Sequence, residues 1–335
     1  MDTEAETRTA ARIAVEHKGI YRLYCEQGEL FGRMSGKLRT KTEEGEPRPA
    51  VGDWVVISAR PDEGQATIHS VLPRFSKFSR QMAGQTTAEQ IVAANINTAF
   101  LVMSLNRDFN LRRLERYLLT AWESGATPVI ILSKADLCDN VDEKVNDIAA
   151  IAFGVPIHVI SAATGDGLDA LTQYIQEGRT IAFIGSSGVG KSTLINQLYG
   201  AEILETGDIR EDDDRGRHTT THRELIVLPN GGIVIDTPGM RELQLWDVGD
   251  SLSSSFEDIE RLADQCRFRD CTHGNEPGCR VKQALSSGEL DVGRFRNYLK
   301  LQRELAFLER KNNQKAKLEQ KKKFKSITKQ MRKYH

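Results

Sequence analysis

Eight residues, Gly185 to Ser192, carry the spacing G-x-x-x-x-G-K-S. That spacing suits phosphate chemistry. Glycines at Gly185, Gly188 and Gly190 open backbone conformations closed to other residues, so successive N–H groups can turn inward around an anion. Ser186, Ser187, Val189 and Thr193 complete the wall of the loop. The Lys191 ammonium is placed to reach the β- and γ-phosphates, which makes it a binding group and a candidate catalytic one. The Ser192 hydroxyl is placed to ligate Mg²⁺. The apolar stretch TIAFI precedes the loop and STLINQLYG follows it, a strand and a helix in the order the motif requires. The helix start adds the positive end of its dipole.

Two further stretches name the base and the metal. DTPG, Asp236–Gly239, ends the apolar run GIVI. The Asp236 carboxylate can hold the Mg²⁺ shell, and the Gly239 N–H can sense a γ-phosphate. SKAD, Ser133–Asp136, ends the run TPVIIL. The Asp136 carboxylate can accept from guanine N1–H and its 2-amino group, donors that adenine lacks, while the Lys134 stem covers the base plane. Ser133 stands where an asparagine is expected, which should loosen the tie to the phosphate loop. SAATG follows the next strand, with Ser161 and the Ala162 N–H placed for guanine O6. A Ras-like domain runs from cradle to switch, D-x-x-G, base reader and SA-type loop. Here the base reader and SA-type loop come first. Joining the old termini and opening new ones after D-x-x-G builds the same sheet, and such permutation is tolerated because domain termini lie close together.

Cys266-x4-Cys271-x-His273-x5-Cys279 supplies three thiolates and one imidazole. That is a closed tetrahedral set with no position left for substrate, so one structural Zn²⁺ is expected. Cys25 and Cys138 stand alone.

The elements that must position these groups follow from the pattern. Residues 1–16 read as disordered. Residues 17–78 read as short strands, GIYRLYC, ELFGRM, DWVVISA and ATIHSVL, separated by Gly, Pro and charge. They predict a small all-β barrel, OB-like first and SH3-like second. A linker, PRFSKFSRQMAGQTTAEQ, leads into residues 79–250, where strands alternate with helices around a mostly parallel sheet. One of these helices carries Leu111, Leu114, Leu118 and Trp122 at helical spacing, and LDALTQYIQEG reads as another. Residues 251–310 read as helical and zinc-binding, with Phe256, Ile259 and Leu262 on one face and Val292, Phe295, Leu299 and Leu305 on another. The chain is therefore multidomain: an OB-like barrel, a circularly permuted α/β P-loop GTPase fold and a mainly helical zinc domain. The second switch runs directly into that helical region, so a γ-phosphate-dependent shift there should move it.

The net charge of −1 over 335 residues hides an asymmetry: residues 311–335 hold ten Lys or Arg against Glu319, about +9, leaving about −10 for the rest. A basic tail on an acidic body suits a polyanionic partner, and nucleic acid is the one expected. The polar start MDTEAETRTAAR offers no secretory signal, and no apolar run approaches a membrane span, so a cytoplasmic protein with no membrane partner is expected. Oligomerisation has no signal, and a monomer is the default.

Together these motifs resemble the RsgA (YjeQ/YloQ) family of GTPases that depend on the small ribosomal subunit. The resemblance covers most of the chain, including GRHTTT, residues 216–221, as a first-switch segment. It implies GTP hydrolysis stimulated by the small (30S) subunit late in its maturation, with 16S-type rRNA as the main contact. Met240 stands where Ras-like enzymes place a water-orienting glutamine, and the resemblance points to His218 for that role. One of Thr219, Thr220 and Thr221 should ligate Mg²⁺, and Thr220 is the candidate taken. An RNA-binding assembly protein with a structural nucleotide site, and a P-loop ATPase, are the competing readings.

Overall fold

The computed structural model describes residues 8–81, 89–106, 108–205, 223–236, 252, 255–274, 276–307 and 310. The chain divides into two compact units, Met1–Arg80 with Gln90–Gln244, and Gln81–Glu89 with Leu245–His335.

The first unit opens with a barrel. Strands β1 (Arg8–His17), β2 (Ile20–Cys25), β3 (Gly28–Met34), β4 (Trp54–Arg60) and β5 (Gln65–Val71) pair in the order 1-2-3-5-4, and β1 also pairs with β4. The ring is thereby closed, with β3 and β5 parallel and the other pairs antiparallel. This is the OB arrangement rather than the SH3-like one. Alternate residues point inward, and Ile13, Leu23, Leu30, Ile57 and Ile68 form the barrel core. Helix α1 (Gly36–Glu43), capped by Ser35, contributes Leu38, its one buried side chain, to that core. Residues 1–7 lie outside the described residues, and the disorder expected for residues 1–16 is not met from Arg8 onward, because RTAARIAVEH is β1. Its alanines have weak strand preference, but the strand is paired on both edges, and tertiary pairing overrides propensity.

The barrel and the α/β sheet share an interior. Ala14 and Val51 pack in one core with Leu225 and Ile235 of that sheet. A buried polar knot reinforces the join. Arg74 grips the Asp53 carboxylate through two bonds of 2.6 Å, and the Ala50 N–H donates to it at 2.7 Å. Arg12 donates to the carbonyls of Gly52 (3.2 Å) and Asn95 (3.1 Å). Burial pushes the Arg12 guanidinium down to about 10, with Asp53 pulling the other way. Gly52 has a positive φ of 87°, and a Cβ there would lie 2.2 Å from the Ala94 carbonyl, so only glycine fits. The segment read as a linker contains β6 (Lys77–Gln81) and the start of β7 (Glu89–Ala94), and the two pair as a ribbon.

The α/β sheet runs β10-β9-β8-β11-β13-β12, from β8 (Thr98–Ser104), β9 (Thr127–Ser133), β10 (Ile157–Val159), β11 (Thr180–Ile184), β12 (Glu224–Val227) and β13 (Ile233–Asp236). All neighbours are parallel except β12 with β13. β8 is buried along its whole length, as a central strand covered on both faces must be. One face is covered by Leu114, Leu118 and Ala121 of α2 (Leu111–Ser124) and Ile148 of α3 (Val141–Ala149). The other is covered by Leu194 and Ile195 of α4 (Lys191–Tyr199) and by Leu171 and Ile175. Two expectations change: Leu168–Tyr174 is a 3-10 segment rather than an α-helix, and Trp122 is exposed while Leu119 and Ala121 take the inner face. At the sheet's edge, β12 meets β1 through the pair Val15–Glu224, and Arg22 ion-pairs with Glu224.

The second unit is helical: α5 (Glu257–Ala263), α6 (Arg280–Ser287) and α7 (292–307). Its buried side chains include Phe256, Ile259, Val281, Ala284, Phe295, Tyr298 and Leu301. The α7 stripe is rotated from the expected one, with Tyr298 and Leu301 inside and Val292 exposed. The rotation lets Arg294 reach Asp258 through a fork of 2.7 and 2.8 Å and lie over the Phe256 ring. No helix among the described residues is long and apolar enough to cross a membrane.

Candidate functional site

The chain walks outward from β8 through β9 to β10, then returns to set β11 beside β8. The direction of winding reverses there. Loops at the carboxyl ends of strands flanking such a point form the crevice where open α/β sheets take ligands. Four of the motifs end parallel strands on that same edge: Gly185 follows β11, Ser133 ends β9, Ser161 follows β10 and Asp236 ends β13.

The glycine loop is shaped for close backbone approach. Gly188 and Gly190 have φ of 74° and 94°. A Cβ on Gly185 would sit 2.4 Å from the Val102 carbonyl, so the loop hugs β8. Gly190 precedes α4, which begins at Lys191. Lys191 Nζ donates to the carbonyls of Gly185 (2.8 Å) and Ser186 (2.6 Å), which holds the ammonium across the loop. Ser192 and Thr193 lie in the first turn of α4, while Ser187 and Gly188 are exposed at the tip.

Ser133 is buried, and its hydroxyl donates to the Val189 carbonyl at 2.6 Å. The expected loosening is corrected: serine ties the base-reading loop to the phosphate loop directly, because β9 and the glycine loop approach closely enough for the short side chain. Lys134 is in the left-handed region (φ 59°), which turns the chain sharply after β9 and leaves Asp136 exposed. The Asp136 carboxylate accepts from the Ser161 hydroxyl at 2.6 Å, and Ala135 N–H donates to the Ile160 carbonyl at 3.1 Å. Ser161 thus orients Asp136, and the second carboxylate oxygen has no hydrogen-bond partner among the described residues. The loop is closed in turn by Ser161 N–H on the Asp166 carbonyl and Gly165 N–H on the Ser161 carbonyl, with Ala162 between them half-buried. Residues 133–136, 161–162 and 185–193 are therefore one hydrogen-bonded constellation. His218, Thr219, Thr220, Thr221, Gly239 and Met240 lie outside the described residues, as does the tail from 311.

The sequence reading missed Arg113. Its Nη1 contacts both the Asp108 carboxylate and the Ser186 hydroxyl. The contact with Ser186 joins residues 73 positions apart, and no local pattern announces it.

In the second unit, Cys266, Cys271, His273 and Cys279 bring their ligand atoms within 4.8 Å of one another. Cys266 and Cys279 sulfurs are 3.9 Å apart, and they lie 3.7 and 3.6 Å from His273 Nδ1. A tetrahedron built on ordinary Zn–S and Zn–N bonds has edges of about 3.6–3.8 Å. The donor set fits a metal such as zinc. His273 takes a positive φ of 59° to turn its Nδ1 inward, and Cys279 Sγ accepts from Lys282 N–H at the start of α6.

The model of the RsgA GTPase family matches residues 71–246. The chain belongs to the RsgA GTPase family. It is accordingly a GTPase, a hydrolase of GTP. An ABC transporter model also matches, over residues 168–331, a span that holds the cradle but neither Asp136 nor Ser161. The chain is 49% identical over 324 residues to the small ribosomal subunit biogenesis GTPase RsgA 1 of Oceanobacillus iheyensis, covering 96% of this chain and 92% of that one. It is 50% identical over 305 residues to RsgA 2 of Lactiplantibacillus plantarum, covering 91% and 86%. Among solved structures, YjeQ from Thermotoga maritima aligns with a TM-score of 0.65 at 29% identity, over 90% of this chain and 99% of that one. YloQ, described as a circularly permuted GTPase, aligns at 0.62 and 27% identity, over 91% and 98%. The RsgA fold and the shuffled order of loops read from the sequence agree with both structures.

Proposed function

We propose that this GTPase is a late assembly factor of the small ribosomal subunit, that the subunit stimulates its hydrolysis of GTP, and that 16S-type rRNA is its main contact. The observation that carries the nucleotide reading is the bond from Ser133 to Val189 together with that from Ser161 to Asp136. They lock a guanine-selective carboxylate and a phosphate cradle into one unit. In this reading Asp136, Lys134, Ser133, Ser161 and Ala162 serve the base, residues 185–193 and Gly239 serve the phosphates, and Lys191 neutralises the leaving charge. Ser192, Thr220 and Asp236 would hold Mg²⁺, which supplies charge stabilisation to the phosphates. His218 orients the attacking water. The Cys₃His set holds one structural Zn²⁺. The subunit role rests on the names of relatives close to half identical to this chain. Rim aromatics on the barrel, Phe31 and Trp54, and the basic tail supply stacking and charge for RNA. The protein acts as a cytoplasmic monomer.

Steady-state GTP turnover with and without small subunits tests the activity. Stimulation by the subunit is expected, and equal slow rates in both arms would refute it. Asp136→Asn tests the base reading. The amide donates where the carboxylate accepted, so GTP binding should fall at least about 100-fold while xanthosine triphosphate binding rises. His218→Ala should abolish most stimulated turnover with GTP affinity unchanged, and full turnover would remove it from catalysis.

A further inference from the structure

We infer that Arg113 is a triphosphate-binding residue of this GTPase, an arginine resident in the chain that takes the γ-phosphate of GTP. The inference rests on the nucleotide reading above and extends it. Helix α2 is anchored so that Arg113 cannot wander. Asn110 caps the helix by accepting the Arg113 N–H at 3.0 Å, and its own N–H meets Met103 Sδ at the end of β8. Asn106 accepts from the Ser104 hydroxyl at 2.7 Å, which fixes the loop between them. The Arg113 guanidinium then lies on Ser186, the second residue of the cradle, steadied by Asp108.

Ser186 is approached from both of its polar ends. Its hydroxyl meets Arg113, and its carbonyl takes Lys191 Nζ at 2.6 Å. Two cations therefore meet one residue of a phosphate loop, one at its hydroxyl and one at its carbonyl. The guanidinium has five donors in a planar fork that matches phosphate oxygens. Only Nη1 is engaged, so Nε and Nη2 have no hydrogen-bond partner among the described residues. The side chain is one-third exposed and so open to a ligand in the crevice. Lys191 marks where the β- and γ-phosphates lie, and Arg113 shares its residue.

The test is equilibrium binding of GTP (as a non-hydrolysed analogue) and of GDP to the full chain, with Arg113→Ala and Arg113→Lys. Arg113→Ala should weaken triphosphate binding about tenfold while GDP binding changes less than about twofold. Arg113→Lys should fall between, keeping charge but losing the fork. If Arg113→Ala weakens both nucleotides equally, the residue only braces the loop and the inference fails. It fails too if neither changes. If the unaltered chain binds no GTP, the nucleotide reading falls first, and this inference with it.

Discussion

Ser133 replaces a longer amide with a hydroxyl, yet still reaches the Val189 carbonyl at 2.6 Å. Removing that donor leaves a buried carbonyl unsatisfied, at a cost of about 1–2 kcal/mol. Ser133→Ala should therefore lower the melting temperature by about 2–4 °C and raise the GTP dissociation constant severalfold, read by calorimetry and nucleotide titration. Gly185→Ala should be worse. Its Cβ would press on the Val102 carbonyl at 2.4 Å, so both stability and nucleotide binding should drop, by about 1–3 kcal/mol in unfolding free energy. The glycine loop, SKAD, SAATG and the cysteine cluster were legible because each is short and contiguous, and its chemistry is local. The Ser133 tie and Arg113 were not. Each depends on a partner more than fifty positions away, 56 and 73 residues respectively, which spacing does not encode.

Elements were readable in proportion to how much apolar surface they bury. β8, β9 and β11 are buried on both faces and announce themselves as apolar runs. β1 hides behind alanine and charge, and α1 behind a sequence with one buried residue. That one residue matters. Leu38→Ala should destabilise the chain by about 2–5 kcal/mol in denaturant unfolding, since no neighbour on α1 can replace it. The α7 stripe was misread because a buried arginine, Arg294, belongs to the inner face, and hydrophobic periodicity does not count it. The helical unit should also depend on the zinc proposed for its Cys₃His set. Its ligands come from the end of α5, an irregular loop and the start of α6, so stripping zinc with a chelator should unravel that loop and raise hydrogen exchange over residues 264–282. Mass spectrometry should find one zinc per chain, and Cys279→Ser should lose it.

The whole molecule was legible as three sequence regions, but the barrel, which keeps its own core, also lends Ala14 and Val51 to the core of the α/β sheet and joins it in one continuous sheet. Sequence patterns report which side chains are buried, not which domain buries them. The tail's excess charge belongs to this scale as well. Deleting residues 311–335 should flatten the dependence of RNA affinity on salt concentration, because fewer counterions are released on binding. An unchanged slope would assign the tail no part in binding. The stitch between Val15 and Glu224 carries a last consequence. Two residues separate the segment proposed as the first switch from β12, whose first residue is fastened to the barrel by a backbone pair and by Arg22. A partner that grips the barrel should thus also load the strand that follows the proposed switch. Thermodynamic reciprocity then requires that, if nucleotide alters the barrel's hold on RNA, RNA must alter the hold on nucleotide by the same factor. Cutting the Glu224 side chain back to alanine should shrink both factors together.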